Sequence, residues 1–501
     1  MNSKARVKRA LPYSLGLSLL NILVSLLGMV LLVRYLSGTE FAVLAILNGL
    51  PVMINMYIAA GYNFSITRFV PDIRDKQQVG RIVWQILLHR LLIAAAVCLV
   101  LVLVFDLIDV RFGLQGYRTH FTVYQAAVLA QIGFLYLTAA LNARFKQKTL
   151  LAVSIVHQSL RLAVIYAGVY AGRDLLFFIA AFTLIHLLTF LFGAVLFGRR
   201  HGWPRLPSLL RYRYENREIK SYRRLSYFNQ LGTSFLSTDI DRYILAYLSN
   251  SIQVAIYALA TQILRKALQL MPSRLFNPVI EPAFYARYDE SGEAAELNRM
   301  FQFIFNINLV VSLLYLSLFI PLGRDLLVLV FKQDYVGRAY WPLLIYLVFM
   351  LLYFIPLGLM AKAVKKPQIL LVSKISSLFN LAIGIPMAYF WGAPGIALAT
   401  AVSMALKSLI IYILLHRLVA IRIPWRALLT AFQNGLVTAL VLAFLRIGVG
   451  LSPVLLLIAG AGLYLLLSYF FNLLDDGQKK LVRSLLPERF QGMAGVLLNS
   501  R

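Results

Sequence analysis

The run LLFFIAAFTLIHLLTFLFGAVLF (residues 175–197) has 23 residues without one Asp, Glu, Lys or Arg, set between Arg173-Asp174 and Gly198-Arg199-Arg200. About 20 mostly apolar residues suffice for a helix to cross the hydrocarbon core of a bilayer. The stretch therefore predicts one membrane-spanning helix, 174–197, stopped by a basic pair. Working outward, the same pattern recurs from residue 11 to residue 473. The runs predict spans at 11–33, 41–67, 83–105, 120–142 and 149–170 before it. After a basic loop they predict 226–247, 252–280, 300–321, 340–361, 369–390, 395–416, 428–448 and 453–473. The expected fold is an all-α membrane protein of about fourteen transmembrane helices, with almost no soluble part.

Composition agrees. Of 501 residues 60% are hydrophobic and 14% charged, against about 25% charged in an average soluble chain. The formal charge of +29 raises nucleic acid as a partner. The bases lie between apolar runs, however, and form no basic stripe on a soluble module, so nucleic acid is excluded. The single Cys98 sits in an apolar run and allows neither an intrachain disulfide nor a Cys-based metal cluster. Lys4, Arg6, Lys8 and Arg9 precede an apolar stretch too long for a cleaved leader, so 11–33 reads as the first membrane helix.

Cytoplasmic segments retain the excess of Lys and Arg. With the N-terminus inside, those segments hold 33 of the 49 basic residues and the opposite loops about 8. Both termini are expected in the cytoplasm, as in a protein of the inner-membrane type. The one sizeable loop, 198–225, carries nine bases. It reads as a positive-inside determinant joining two halves. Alternatively it is an amphipathic surface segment, with Trp203, Leu206, Leu209, Leu210 and Tyr214 in the headgroups and its arginines on anionic lipid. The acidic stretch 281–296 reads as a solvated loop.

An internal repeat is visible. Tyr35-Leu36-Ser37 matches Tyr247-Leu248-Ser249, and Val43-Leu44-Ala45 matches Ile256-Tyr257-Ala258. Val70-Pro71-Asp72 corresponds to Glu281-Pro282-Ala283, and Lys148-Thr149-Leu150-Leu151 to Gln368-Ile369-Leu370-Leu371. The expected organisation is an N-lobe (1–197, helices 1–6), a basic cytoplasmic linker (198–225) and a C-lobe (226–418, helices 7–12). Two extra helices and a cytoplasmic tail (419–501) follow. Two like-oriented halves of this kind point to a transporter with its site between the lobes.

Ionisable groups inside hydrocarbon cost about 2.5–3.5 kcal/mol each even on the insertion scale, so each needs a partner or a wet cavity. Arg90, Arg161, Arg242, Arg265, Lys266, Arg274, Lys374 and Lys407 are the bases so placed; Asp239 and Asp241 are the acids. Arg90, Arg274 and Lys374, near helix ends, are expected to snorkel. Helical spacing puts Ser154, His157, Gln158 and Arg161 on one face. It does the same for Gln262, Arg265, Lys266, Gln269 and Ser273, and for Gln230, Ser234, Ser237 and Asp241. These stripes are the expected walls of the cavity. Substrate is assigned to Arg161, Arg242, Arg265, Lys266, Lys407, His157, Gln158, Gln262 and Gln269. A cavity so basic selects an anion, most naturally phosphate, which Arg holds through paired hydrogen bonds. Asp241 has two open readings: an ion pair with a base such as Arg265, or a proton or sodium acceptor. It is the acid expected to face the cavity. Asp239 points elsewhere, because positions two apart on a helix diverge.

Several motifs resemble bacterial polysaccharide and O-antigen flippases of the Wzx type, within the multidrug and oligosaccharidyl-lipid flippase superfamily. They are Arg34-Tyr-Leu-Ser-Gly38 with Phe41, Asp241-Arg242-Tyr-Ile-Leu245, Val254-Ala-Ile-Tyr257-Ala258, Phe331-Lys-Gln-Asp334-Tyr335, Lys365-Lys366-Pro367 and Gly392-Ala-Pro-Gly395-Ile-Ala397. Ala246, Ala255 and Lys332 depart from the pattern, standing where it has glycine. The resemblance implies a fold like that of the MATE transporters. It implies alternating-access export of an undecaprenyl-diphosphate-linked oligosaccharide to the periplasmic leaflet, for O-antigen, capsule or exopolysaccharide. It also implies membrane lipids, a polysaccharide polymerase and a chain-length regulator as partners, and no cofactor. Helices 13 and 14 would bound a groove for the polyprenyl tail, and Tyr257, Tyr346 and Tyr353 would stack on sugars.

Two rivals share some of these features. A cation-extruding multidrug antiporter has the same fold but wants carboxylates in its cavity. All six acids before residue 200 lie in loops or at helix ends. A membrane-embedded polymerase or glycosyltransferase wants a large external loop or an acidic catalytic motif, and neither is present. With no nucleotide-binding Gly-rich loop, the chain reads as a secondary transporter and not as an enzyme.

Overall fold

The structure is a computed structural model that describes residues 3–58, 70, 73, 75–143, 147–203, 220–221, 223–224, 226–227, 236–275, 293–353, 355–364, 366 and 368–471. Its regular structure, among those residues, is entirely helical. The first part comprises α1 (Ser3–Tyr35), α2 (Gly38–Ile58), α3 (Lys76–Leu103), α4 (Phe105–Phe112), α5 (Arg118–Ala143), α6 (Gln147–Tyr170) and α7 (Leu175–His201). Next come α8 (Thr238–Leu248), α9 (Ser251–Gln269), α10 (Pro272–Leu275), α11 (Ala294–Phe331) and α12 (Tyr340–Tyr353). The last described helices are α13 (Leu357–Ala363), α14 (Gln368–Val372), α15 (Ile375–His416), α16 (Trp425–Gly448) and α17 (Pro453–Phe470).

All fourteen expected segments contain helix, yet ten described helices are long and apolar enough to cross a membrane. The difference has particular causes. Segments 369–390 and 395–416 run on as one stretch, Gln368–His416, broken only where Gly392 leaves helical geometry at φ 59°, ψ −134°. The first segment counts as a shorter apolar helix, Leu20–Tyr35. Segment 226–247 is not continuous: Ser237 is extended and caps α8, which has eleven residues. Segment 252–280 ends as α9 at Gln269, ahead of the separate turn that Pro272 opens; the 19 residues of α9 are long enough to span but, with Arg265, Lys266 and three Gln, are not apolar enough.

The turn between segments 11 and 12 shows why glycine is needed there. The positive φ of Gly392 is strained for any L side chain, and a Cβ there would lie 2.7 Å from Oε1 of Gln253. That oxygen instead accepts the N–H of Ala393 at 2.9 Å, an N–H left over at a helix start.

The chain forms two compact units. Unit 1 comprises residues 1–262 and 377–400; unit 2 comprises 263–376 and 401–501. In unit 1, α5 packs on α7, α3 and α2, and α6 on α1 and α7. The core between α3, α5 and α7 is Val79, Ile82, Val83, Ile86 and Leu87 against Tyr136, Leu137, Ala140 and Leu141, with Ala194 and Phe197 closing it. In unit 2, α11 is the central post, with α12, α16 and α17 packed along it. Leu297 to Leu313 of α11 meet Leu357 and Met360 of α13, Ile411 and Leu415 of α15, and Tyr464 of α17.

Burial is inverted relative to a soluble helix. On α6, His157 is buried and Ser154, Gln158 and Arg161 are sheltered, while Ile155, Val156, Leu160 and Tyr166 face outward. An apolar exterior over polar inner faces is what hydrocarbon solvent favours. The chain is a multi-pass membrane protein.

The repeat makes matching local structure. In the first half Ser37 and Glu40 form a reciprocal capping box: the Glu40 carboxylate accepts from the Ser37 N–H at 2.9 Å, and the Glu40 N–H donates to the Ser37 hydroxyl. In the second half Asn250 caps α9 by accepting the N–H of Gln253 at 3.0 Å. Val43, Leu44 and Ala45, and their counterparts Ile256, Tyr257 and Ala258, are all buried. Lys332, in a glycine position of the pattern, ends α11 in the left-handed region at φ 54°. The linker residues 204–219, most of the acidic stretch, Gln230, Ser234 and the tail beyond 471 lie outside the described residues.

Candidate functional site

In unit 1 the expected stripe of α6 is gathered into one polar cluster. Nδ1 of His157 lies 3.0 Å from the Thr189 hydroxyl of α7, and its ring sits 5.1 Å from that of His186. Gln158 donates from Nε2 to the Asn21 side chain of α1 at 2.9 Å. One turn further along, the Arg161 guanidinium stands 5.1 Å above the ring of Phe182. Nearby, Tyr124 donates to Asn48 at 2.8 Å and accepts from Gln131 at 3.2 Å. Among the described residues no carboxylate lies within ion-pair distance of Arg161. A positive charge is thus held in a polar, sheltered place by an aromatic face and neutral groups.

The second constellation is built where α8 begins. Ser237 caps the helix through the Asp239 N–H at 3.2 Å, and both Asp239 and Asp241 lie in its first turn, where the helix dipole favours negative charge. Asp239 pairs with Arg242 at 3.2 Å, and the same guanidinium reaches Thr261 of α9 at 3.4 Å. Asp241 is fully buried. It accepts from Tyr257 at 2.5 Å and Thr400 at 2.8 Å, and Asn380 also bonds to it. Its setting differs from the expected one, a cavity-facing position beside a base. The acid is enclosed by hydroxyls and an amide, and Ser237 is a cap, not a step in a helical stripe. Tyr257 is engaged with Asp241 and Tyr346 is buried, so neither ring offers a face to a sugar.

Arg90 corrects the expectation that it snorkels. It lies mid-way along α3, wholly buried, with its Nη2 donating to Asn55 of α2 at 2.5 Å. Its guanidinium stands 4.6 Å over the ring of Tyr136. An aromatic face and an amide oxygen inside the unit replace the headgroup region.

On α9, Gln262, Arg265 and Lys266 are half-buried and Gln269 is exposed at the helix end. Ser273 leaves their stripe because it lies beyond the break. It lines a cavity of about 700 Å3 within unit 2, together with Arg274, Lys362 and Lys407. The Ser273 N–H donates to Asn308 at 3.4 Å, and Asn308 and Ser408 add further polar groups to the wall. Ile304, Leu357, Leu359, Leu370, Met404 and Ile411 make the rest largely apolar. No acidic residue is among the described residues lining it. Lys407, expected on a cavity between the lobes, lines this one inside unit 2; Lys362 and Asn308 on the same wall, and Asn380 and Thr400 beside Asp241, belong to none of the sequence stripes. Single neutral residues in apolar runs carry no periodic signal, and Lys362 reads as a loop base.

Comparison with solved structures places the fold. The chain matches a lipid II flippase, MurJ, in an inward closed conformation, with a TM-score of 0.73 at 13% identity over 91% of this chain and 98% of that one. An inward-facing multidrug resistance MATE family transporter of the MOP superfamily matches at 0.62 and 13% identity, over 80% and 94% of the two chains. A MOP superfamily transporter from Pyrococcus furiosus, described as having a binding pocket of reverse polarity, matches at 0.55 and 16% identity, over 83% and 96%. At these identities the likeness is one of fold: the all-helical architecture expected of the MATE transporters and their relatives. No curated protein matches the sequence. The sequence model of a family described as polysaccharide biosynthesis protein matches residues 9–285, more than half of the chain, and the protein belongs to that family.

Proposed function

We propose that the protein is a flippase that carries an undecaprenyl-diphosphate-linked oligosaccharide from the cytoplasmic to the periplasmic leaflet of the bacterial inner membrane, for assembly of a surface polysaccharide. The observation that carries this reading is Arg161, a guanidinium in the middle of α6 with an aromatic face beneath it and no carboxylate in ion-pair reach among the described residues. Guanidinium pairs with phosphate through parallel hydrogen bonds, and the surrounding His, Gln, Asn and Tyr groups suit sugar hydroxyls. The family supplies the polysaccharide context, and the lipid II flippase fold supports a lipid-linked cargo. A MATE-type cation antiporter shares the fold; the sign of this site disfavours its cargo. The basic asymmetry of the loops supports an orientation with both termini in the cytoplasm. The lobes 1–197 and 226–418 would be the moving parts of alternating access.

Asp241 is proposed as the coupling group. A carboxylate ringed by Tyr257, Thr400 and Asn380 presents oxygen donors to a proton or a sodium ion. It stands at the start of an interrupted helix, the setting in which transporters bind coupling ions.

The test is export in a host lacking its own flippase, read as surface polysaccharide at equal protein abundance. Arg161→Ala is expected to lower export by roughly 10–100-fold, the worth of a hydrogen bond to a charged group. Arg161→Lys should restore part of it, because charge remains while the planar fork is lost. Undiminished export by Arg161→Ala would remove the residue from the pathway and with it the anion reading.

A further inference from the structure

The cavity of unit 2 is a second place where positive charge is concentrated, and it is built differently from the Arg161 cluster. Its volume of about 700 Å3 falls within the roughly 300–1,000 Å3 of sites for small organic ligands. Its wall carries Arg274, Lys362 and Lys407, interleaved with apolar Ile304, Met404 and Ile411. Lys407 lies on α15 nine residues before its end, about 14 Å along the axis, so its ammonium is not simply a helix-end group reaching water. Among the described residues it has no hydrogen-bond or ion-pair partner. Lys374, at the start of the same helix, lies near enough to repel it. Three bases and no acidic residue among the described residues of the wall make a field that favours an anion.

The apolar members of the wall exclude a bare, fully hydrated anion as the best fit. Burial of carbon against Ile304, Met404 and Ile411 contributes about 0.8 kcal/mol per methylene, which a free phosphate cannot gain. We infer that this cavity binds the phosphate or diphosphate head of an amphiphile, with the head on Lys407, Lys362 and Arg274 and the first carbons of its chain against Ile304, Met404 and Ile411. The isoprenoid end of the cargo and an anionic phospholipid share that chemistry. The site stands on the lining of unit 2 alone; its assignment to the cargo rests on the flippase reading above.

A diazirine analogue of farnesyl diphosphate, photolysed with the purified full-length protein in detergent, tests this independently of transport. Labelled peptides are mapped by mass spectrometry. Labelling is expected within residues 355–364 and 404–411, displaced by unlabelled farnesyl diphosphate but not by equal concentrations of inorganic pyrophosphate or farnesol. Lys407→Ala should reduce labelling about tenfold or more, the loss of one charge-assisted contact, and Lys407→Arg should retain it. If Lys407→Ala fails to fold, Met404→Trp, which fills space beside the apolar residues, should abolish labelling with the bases intact. Displacement by dioleoyl phosphatidate as strong as by farnesyl diphosphate supports the site with the bilayer as its source. Displacement by the isoprenoid alone supports the cargo as its source. Labelling elsewhere, labelling unchanged by Lys407→Ala, or equal displacement by pyrophosphate or by farnesol would each overturn the inference. Loss of export with labelling intact would instead count against the transport reading.

Discussion

Asp241 and Arg161 show what a single residue can and cannot reveal before a structure is known. Both stand out in the sequence because an ionised side chain in an apolar run is costly and needs a reason. Their partners do not stand out. Phe182 under Arg161 and Asn380 and Thr400 around Asp241 are neutral and isolated, as are Asn21 and Thr189, which hold the neighbouring Gln158 and His157; none of these contacts is local in sequence. Arg90 departs from its sequence expectation for a related reason: its place near a predicted helix end suggests the interface, whereas Tyr136 and Asn55 hold it inside. The Asp241 setting yields a sharp expectation. Asp241→Asn keeps shape and one acceptor oxygen while removing the charge. If the residue couples an ion to transport, the variant should still move cargo but lose its response to an imposed proton or sodium gradient. Transport that still follows the gradient would exclude coupling through this carboxylate.

At the scale of elements, the positions of the helices were legible and their interruptions were not. Hydropathy is read over a window of about 19 residues, so a break of one or two residues leaves the average unchanged. Leu270–Met271 and Gly392 are breaks of that size, and Leu236–Ser237 is non-helical immediately ahead of α8. Local chemistry marks each of them: a Ser cap two residues before an Asp, a Pro, and a Gly-Ala-Pro-Gly run. The Arg446–Asp325 pair, 2.6 Å between Nε and Oδ2, ties α16 to α11. It has no local signature at all, because its members are 121 residues apart. The Gly392 turn is the element most open to test. Gly392→Ala forces an L side chain into a positive-φ conformation that glycine alone adopts readily, costing about 1–3 kcal/mol, and sets its Cβ against Gln253. The thermal unfolding midpoint in detergent should fall. Gln253→Ala in the same chain should relieve the contact but not the backbone strain, so the double variant should remain less stable than Gln253→Ala alone.

For the whole molecule, composition and the spacing of apolar runs sufficed for the fold class, because a bilayer admits few solutions to the problem of backbone hydrogen bonds. The motifs pointed to the family that the sequence comparison shows. The cavity of unit 2 was not legible: its bases come from α10, α13 and α15, and only the folded chain brings them to one wall. The central claim, that an anionic lipid-linked oligosaccharide is the cargo, is best tested with the purified protein alone. Liposomes reconstituted with it would carry an undecaprenyl-diphosphate-linked oligosaccharide labelled on its sugar with a fluorophore, and an impermeant reductant would bleach the outer leaflet. Inner-leaflet label should become bleachable in vesicles holding the wild-type protein and stay protected in vesicles holding Arg161→Ala or no protein. Protection equal to that of protein-free vesicles, with the wild-type chain folded and inserted, would contradict the account.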